Sequence, residues 1–265
     1  MPGLSIHAGI TSALADRNIF STHCAGTSAG AIVSALDAAG HSADEIAGLV
    51  TGLTDSDVRA PRFAWRLRPW IDYWLSDRPI RKLFYDLLPA DWSSLTKPLS
   101  VHVTRTSDGT PVAIDGPGMG IVPDCVYASM AIYGVFPPAR LFDGNEYADG
   151  GAREYVPLPD QPADFDEIWL LLACGQRDTY RTSSGYITRL LRNAAWMMDD
   201  QIDDAVLLMA HFARGPEPGD TGPKVYVVRP QIPTPLGALH MDPSLYGEAR
   251  MWTESWLQSH YGEGR

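Results

Sequence analysis

With 265 residues, 45% of them hydrophobic and 20% charged, the chain is long enough to bury one sizeable core and reads as an ordinary globular protein. A formal net charge of −11 argues against an open nucleic-acid surface, because phosphate binding needs concentrated Lys and Arg. No apolar run approaches the roughly 18 residues of a membrane span, and the start, MPGLSIHAGITSALADRN, lacks the basic segment and continuous apolar stretch of a secretory signal.

In chain order, Leu4, Ile6, Ile10, Ala13 and Leu14 recur at near-helical spacing and predict a helix over Leu4–Arg17. Ile19–Cys24 reads as a short buried strand that leads into Gly26-Thr27-Ser28-Ala29-Gly30, with a helix over Ala31–Ala39 closed by Gly40. Ser42 with Glu45 forms the capping-box pattern that opens a helix over Ser42–Leu53. Asp55–Ser94 reads as irregular, with repeated prolines. There Phe63, Trp65, Trp70, Tyr73, Trp74, Phe84, Tyr85 and Trp92 lie among Arg59, Arg62, Arg66, Arg68, Arg78, Arg81 and Lys82. Such a segment suits a lid or cap packed on the core, or an acyl-chain groove at a lipid interface; Trp196-Met197-Met198 fits either the same groove or a helix core.

Strands are predicted at Leu99–Thr104 and Pro111–Asp115, joined by the turn Ser107-Asp108-Gly109, and at Arg140–Phe142 and Glu146–Ala148, joined by Asp143-Gly144-Asn145. Cys125–Ile132 reads as a helix and Glu167–Cys174 as a buried strand. A helix over Ser184–Phe212, a strand at Lys224–Val228 and an amphipathic helix over Pro243–His260 complete the pattern. Helices alternating with strands suit a single three-layer α/β domain spanning the chain, with a mixed, mostly parallel central sheet. Cys24, Cys125 and Cys174 are odd in number and lack metal-ligand spacing, so reduced thiols in a cytoplasmic protein are expected, with peripheral membrane contact left open.

Gly26-Thr27-Ser28-Ala29-Gly30 matches G-x-S-x-G, the pattern of a serine held on a sharp strand-to-helix turn. Glycine is needed at Gly26 and Gly30 because strand and helix approach too closely there for side chains. The helix that follows aims its N-terminus at the site, so the Ala29 N–H favours a developing oxyanion. Histidines at 211, 240 and 260 follow every acid candidate, which keeps a Ser-His-Asp triad formally open; none lies in a sharply turned or glycine-rich loop. Asp149-Gly150-Gly151 follows 121 residues after Ser28, and its glycines permit a sharp turn that presents the carboxylate. An aspartate serves as general base for a serine if burial raises its pKa and geometry brings it within hydrogen-bond reach.

Taken together, His7-Ala8-Gly9-Ile10, Gly26–Gly30, Ala128–Pro138 (ASMAIYGVFPP) and Asp149–Pro157 (DGGAREYVP) resemble the patatin-like phospholipases over about Leu4 to Pro157. Tyr133 and Tyr155 depart from that pattern, where proline and asparagine are usual. The resemblance implies a three-layer α/β/α domain and a lipid acyl hydrolase of phospholipase A or esterase type. Ser28 would be its nucleophile and Asp149 its base, with a lipid or other ester as substrate and neither metal nor cofactor. It also implies a glycine-rich oxyanion loop after a first strand. Met1-Pro2-Gly3 looks like the tail of such a loop, so the residual hole is expected to rest on Gly3 and Ala29, and Met1 is expected to be an internal methionine. A catalytically impaired relative that binds lipid or a partner protein remains the rival reading.

Overall fold

The computed structural model describes residues 2–58, 60–61, 73, 75–173, 186–213, 222–233 and 241–261. Cys174, His240, Phe63, Trp65, Trp70 and Trp74, with the arginines among them, lie outside these residues, as do the side chains of Trp196, Met197 and Met198. The elements run α1 (Pro2–Ala15), β1 (Cys24–Thr27), α2 (Ala29–Ala38), α3 (Ala43–Gly52), α4 (Asp55–Val58), β2 (Ala60–Pro61), β3 (Leu75–Ser76) and α5 (Arg78–Leu87). They continue with β4 (Leu99–Arg105), β5 (Pro111–Ile114), α6 (Val122–Met130), β6 (Ala139–Arg140), β7 (Glu146–Asp149), β8 (Glu167–Leu171), α7 (Tyr186–Phe212), β9 (Lys224–Val228) and α8 (Ser244–His260). They fall into two compact units, Phe20–Glu154 and the pair of segments Met1–Ile19 and Tyr155–Arg265.

In the Phe20–Glu154 unit, a five-stranded mixed sheet is built around β4. β1 runs parallel to it, whereas β5 and β7 run antiparallel and β6 pairs antiparallel with β7. The expected parallel character therefore resides here in β1–β4 alone. The other three pairings are antiparallel: the turns at Ser107-Asp108-Gly109 and Asp143-Gly144-Asn145 close the β4–β5 and β6–β7 hairpins, and β7 returns to pair with β4 over a longer connection. Gly109 and Gly144 supply the positive φ, 71° and 81°, that such turns demand. α2 and α6 pack against each other and against β4, and Ile32, Val33, Leu36, Val126 and Met130 on the helices and Val101 and Val103 on the strand are all buried.

The strand before the serine lies later than the apolar pattern suggests. Pairing starts at Cys24, whose N–H donates to the Pro98 carbonyl, and runs to Thr27 opposite His102. Ile19 instead closes the end of α1, with its N–H on the Leu14 carbonyl and its side chain against that helix's apolar cluster; Phe20 is exposed. Within Asp55–Ser94, α5 is an amphipathic helix that the proline-rich sequence conceals. Pro79 occupies its first turn, where a missing N–H is harmless, and Ile80 and Phe84 are buried where the helix meets α6. Arg81 ties it there, bonded to Asp77 and Asp124 and lying over the Tyr127 ring at 3.8 Å.

The capping box forms as the sequence implies: the Ser42 hydroxyl accepts from the Glu45 N–H, and the Glu45 carboxylate accepts from the Ser42 N–H at 2.8 Å. Ser42→Ala is expected to lower the unfolding free energy by about 1 kcal/mol. An unchanged urea midpoint would show that α3 does not depend on its cap.

The other unit pairs β8 with β9 in parallel, with Ile202, Ala205 and Met209 of α7 packed on Ile168 and Leu170. The β8 strand ends at Leu171, short of the expected Cys174. α1 packs along α8 through Ile6, Ile10, Leu245, Ala249 and Leu257. Gly9 permits that approach, since a Cβ there would lie 2.5 Å from the Tyr246 carbonyl oxygen.

Candidate active site

The sequence Gly26-Thr27-Ser28-Ala29-Gly30 becomes an elbow: β1 ends at Thr27 and α2 begins at Ala29. Ser28 between them has φ 55° and ψ −122°, a left-handed conformation for a residue that carries a Cβ. Such a backbone costs on the order of 1–3 kcal/mol and persists only where its surroundings hold it. Gly26 is required by contact: a Cβ there would lie 2.5 Å from the Ala31 nitrogen, inside the first turn of α2. Gly30 lies in that same turn.

Two short strands deliver the two halves of the site to one place. Val103 of β4 faces both Val112 of β5 and Asp149 of β7, so β5 and β7 lie on opposite edges of β4. Val101 faces both Ile114 and Gly26, which puts β1 on the β7 edge. The parallel strand β1 ends opposite His102 and the antiparallel strand β7 ends opposite Val103. Their C-terminal ends therefore meet head-on, and Ser28 and Asp149 come together despite their separation in sequence. Gly150 allows the chain to leave β7 here, because a Cβ on it would lie 2.3 Å from the His102 carbonyl oxygen. Gly150–Ala152 then form a tight 3-10 turn, with Gly150 and Gly151 buried.

The Ser28 hydroxyl donates to Asp149 Oδ2 at 2.7 Å, and the Gly151 N–H donates to Asp149 Oδ1 at 2.8 Å. Asp149 is half-buried, and desolvation pushes its carboxyl up to about 6 even though both hydrogen bonds favour the charged form. Near neutrality it is thus mostly ionised and a stronger base than an ordinary aspartate. No imidazole lies between serine and carboxylate among the described residues. His211 lies in α7, and His260 stacks on Trp256 in α8 with a bond to that residue's carbonyl; both belong to the other unit.

Of the residues expected to hold an oxyanion, Ala29 opens α2, and its N–H and that of Gly30 are helix-initial amides with no intrahelical acceptor. Gly3 lies in the first turn of α1, in the other unit. Ser28's own N–H is already engaged, donating to Ser129 Oγ at 2.9 Å. Among the described residues no group of three or more His, Cys, Asp or Glu side chains is placed to hold a metal ion.

Sequence reasoning assigned no role to three neighbours of the site. Ser129, fully buried in α6, bridges the elbow and the His102 carbonyl. The buried His102 ring sits 2.9 Å from a Glu154 carboxylate oxygen, and the Thr27 hydroxyl donates to the Glu154 carbonyl, which fastens the chain beyond Gly151 to β1 and β4. A lone serine among apolar residues in VPDCVYASM is the one signal that pointed to Ser129; nothing local marks His102 or Glu154.

Ser28 thus stands at positive φ on a strand-to-helix elbow of an α/β scaffold, bonded to an aspartate that precedes paired glycines. The sequence matches the family model of the patatin-like phospholipases over residues 4–160, and the chain belongs to that family. Its α/β content and mixed central sheet match the three-layer α/β/α domain of that family. The crystal structure of VipD from Legionella pneumophila is similar to this chain, with a TM-score of 0.48 and 14% identity over 97% of this chain and 65% of that one. The chain thus spans just under two thirds of that protein's length. No curated protein matches the sequence.

Proposed function

We propose that the protein is a lipid acyl hydrolase of phospholipase A or esterase type that cleaves carboxylic esters through a Ser28–Asp149 dyad. Asp149 takes the Ser28 proton as Oγ attacks the ester carbonyl, and helix-initial amides at Ala29 and Gly30 stabilise the oxyanion. Collapse of the tetrahedral intermediate expels the alcohol, which takes up the proton from Asp149. Water, with Asp149 again as base, then releases the fatty acid from the Ser28 ester. The observation that carries this reading is the direct 2.7 Å bond from the Ser28 hydroxyl to a carboxylate whose pKa burial has raised.

A fluorophosphonate probe tests it. Wild type is expected to be labelled once, and Ser28→Ala not at all; a wild type that resists the probe and hydrolyses no ester would favour the rival, a lipid-binding or partner-binding relative. Because the base must be ionised, the labelling rate is expected to rise with pH to a plateau, half-maximal near the Asp149 value of about 6. A rate flat from about pH 5 to 8 would remove Asp149 from the base role. No helix among the described residues is long and apolar enough to cross a membrane, and with a lipid ester as substrate peripheral contact with its surface is the expectation.

A further inference from the structure

The last turn of α6 touches the backbone of both halves of the site. Ser129 accepts the Ser28 N–H at 2.9 Å, and the Ala131 carbonyl, just past the helix, accepts the Asp149 N–H at 3.0 Å. The proton direction at Ser129 is fixed by its partners. The His102 carbonyl only accepts, so the Ser129 hydroxyl donates to it, at 2.7 Å, and offers its lone pair to the amide, which only donates. The same His102 carbonyl packs on Gly150, leaving no room for a Cβ there. One buried hydroxyl thus links the strained elbow to the strand and carbonyl against which the Asp149 turn is seated.

We propose that Ser129 is a positioning residue for the nucleophile, a reading that rests on the proposed dyad and deepens it. By holding the Ser28 N–H, Ser129 fixes the left-handed backbone at Ser28 and keeps Oγ on Asp149 Oδ2. It also commits that amide, so the oxyanion is left to the amides that follow Ser28. This differs from serine proteases in which the nucleophile's own N–H serves the oxyanion. Without the hydroxyl, an amide and a carbonyl both lose their partner at a fully buried position, and the elbow relaxes away from the geometry that aims Oγ.

The test measures p-nitrophenyl butyrate hydrolysis, the fluorophosphonate labelling rate and thermal melting for wild type, Ser28→Ala, Ser129→Ala, Ser129→Cys and Ser129→Thr. Ser129→Ala is expected to lower kcat and the labelling rate by about a hundredfold, the scale of a nucleophile misplaced by about an ångström, with KM nearly unchanged. Ser129→Cys, similar in size but a weak donor and acceptor, is expected to fall in between, and Ser129→Thr, which keeps the hydroxyl, to recover most of the loss. Wild-type kcat in Ser129→Ala, on an enzyme that Ser28→Ala silences, overturns this inference alone. So does a loss of kcat across all three variants that simply follows their melting temperatures. A Ser28→Ala chain that hydrolyses the ester at the wild-type rate overturns the dyad and this inference with it.

Discussion

Asp149→Asn is expected to lower kcat by about a thousandfold while making the folded protein more stable at alkaline pH. An amide keeps the shape of the carboxylate and its bond from the Gly151 N–H, but it has no basicity with which to take the Ser28 proton. The stability effect follows from the raised pKa. A carboxyl pushed up to about 6 in the folded state favours folding while it is protonated, and that advantage fades as pH rises from the ordinary aspartate value through about 6. Above that range, ionised Asp149 weakens the wild type by about 2–3 kcal/mol, at about 1.4 kcal/mol per pH unit with allowance for its residual exposure. Asparagine carries no such penalty. Urea unfolding at pH 4 and pH 8 should give variant and wild type similar stabilities at the lower pH and a more stable variant at the higher. Equal stabilities at both would contradict a desolvated carboxylate, and unchanged turnover would contradict its role as base.

Gly150→Ala is expected to abolish ester hydrolysis and to destabilise the fold by about 2–4 kcal/mol, the upper range of overpacking. The new Cβ would meet the His102 carbonyl oxygen at 2.3 Å and Thr27 Cγ2 at 3.0 Å, and the oxygen is backbone in the central strand, which cannot swing aside. Either β7 withdraws from β4, carrying Asp149 off Ser28, or β4 deforms. Gly144→Ala is the matched control. Its Cβ meets nothing within 4 Å, so only the positive φ of 81° opposes it, a strain of about 1 kcal/mol far from the serine. Comparable losses in the two variants would mean that turn conformation, not the close approach at His102, sets the need for glycine.

Legibility from sequence divides along the range of the interactions. The cap at Ser42, the hairpins at Ser107–Gly109 and Asp143–Asn145 and the elbow at Gly26–Gly30 are specified within a few residues, and each forms where expected. The start of β1 is not legible locally, because its limits are set by β4, far along the chain, while Ile19 is apolar for the sake of α1. α5 was concealed because proline in a first turn resembles proline in a loop. Ser28 and Asp149 were found as separate motifs, and their meeting depends on two strands sharing one edge of a third. Ser129, His102 and Glu154 act through contacts that no local pattern encodes.

The head-on arrangement of β1 and β7 has a consequence for how the Ser28–Asp149 pair is assembled. Each of these four-residue strands must find its register on β4 independently, and a slip of one residue in either moves its tip by about 3.3 Å and turns its side chains to the opposite face. No neighbouring alignment tolerates the error, since the gap between the tips is a single hydrogen bond. The hairpin of β4 and β5 closes over a short loop, whereas docking β1 and β7 requires closing much longer ones and is expected to come later. Esterase turnover would then report completed assembly of this sheet: a collapsed chain with native helices and one strand out of step would be silent, and regain of activity on refolding should lag behind regain of secondary structure.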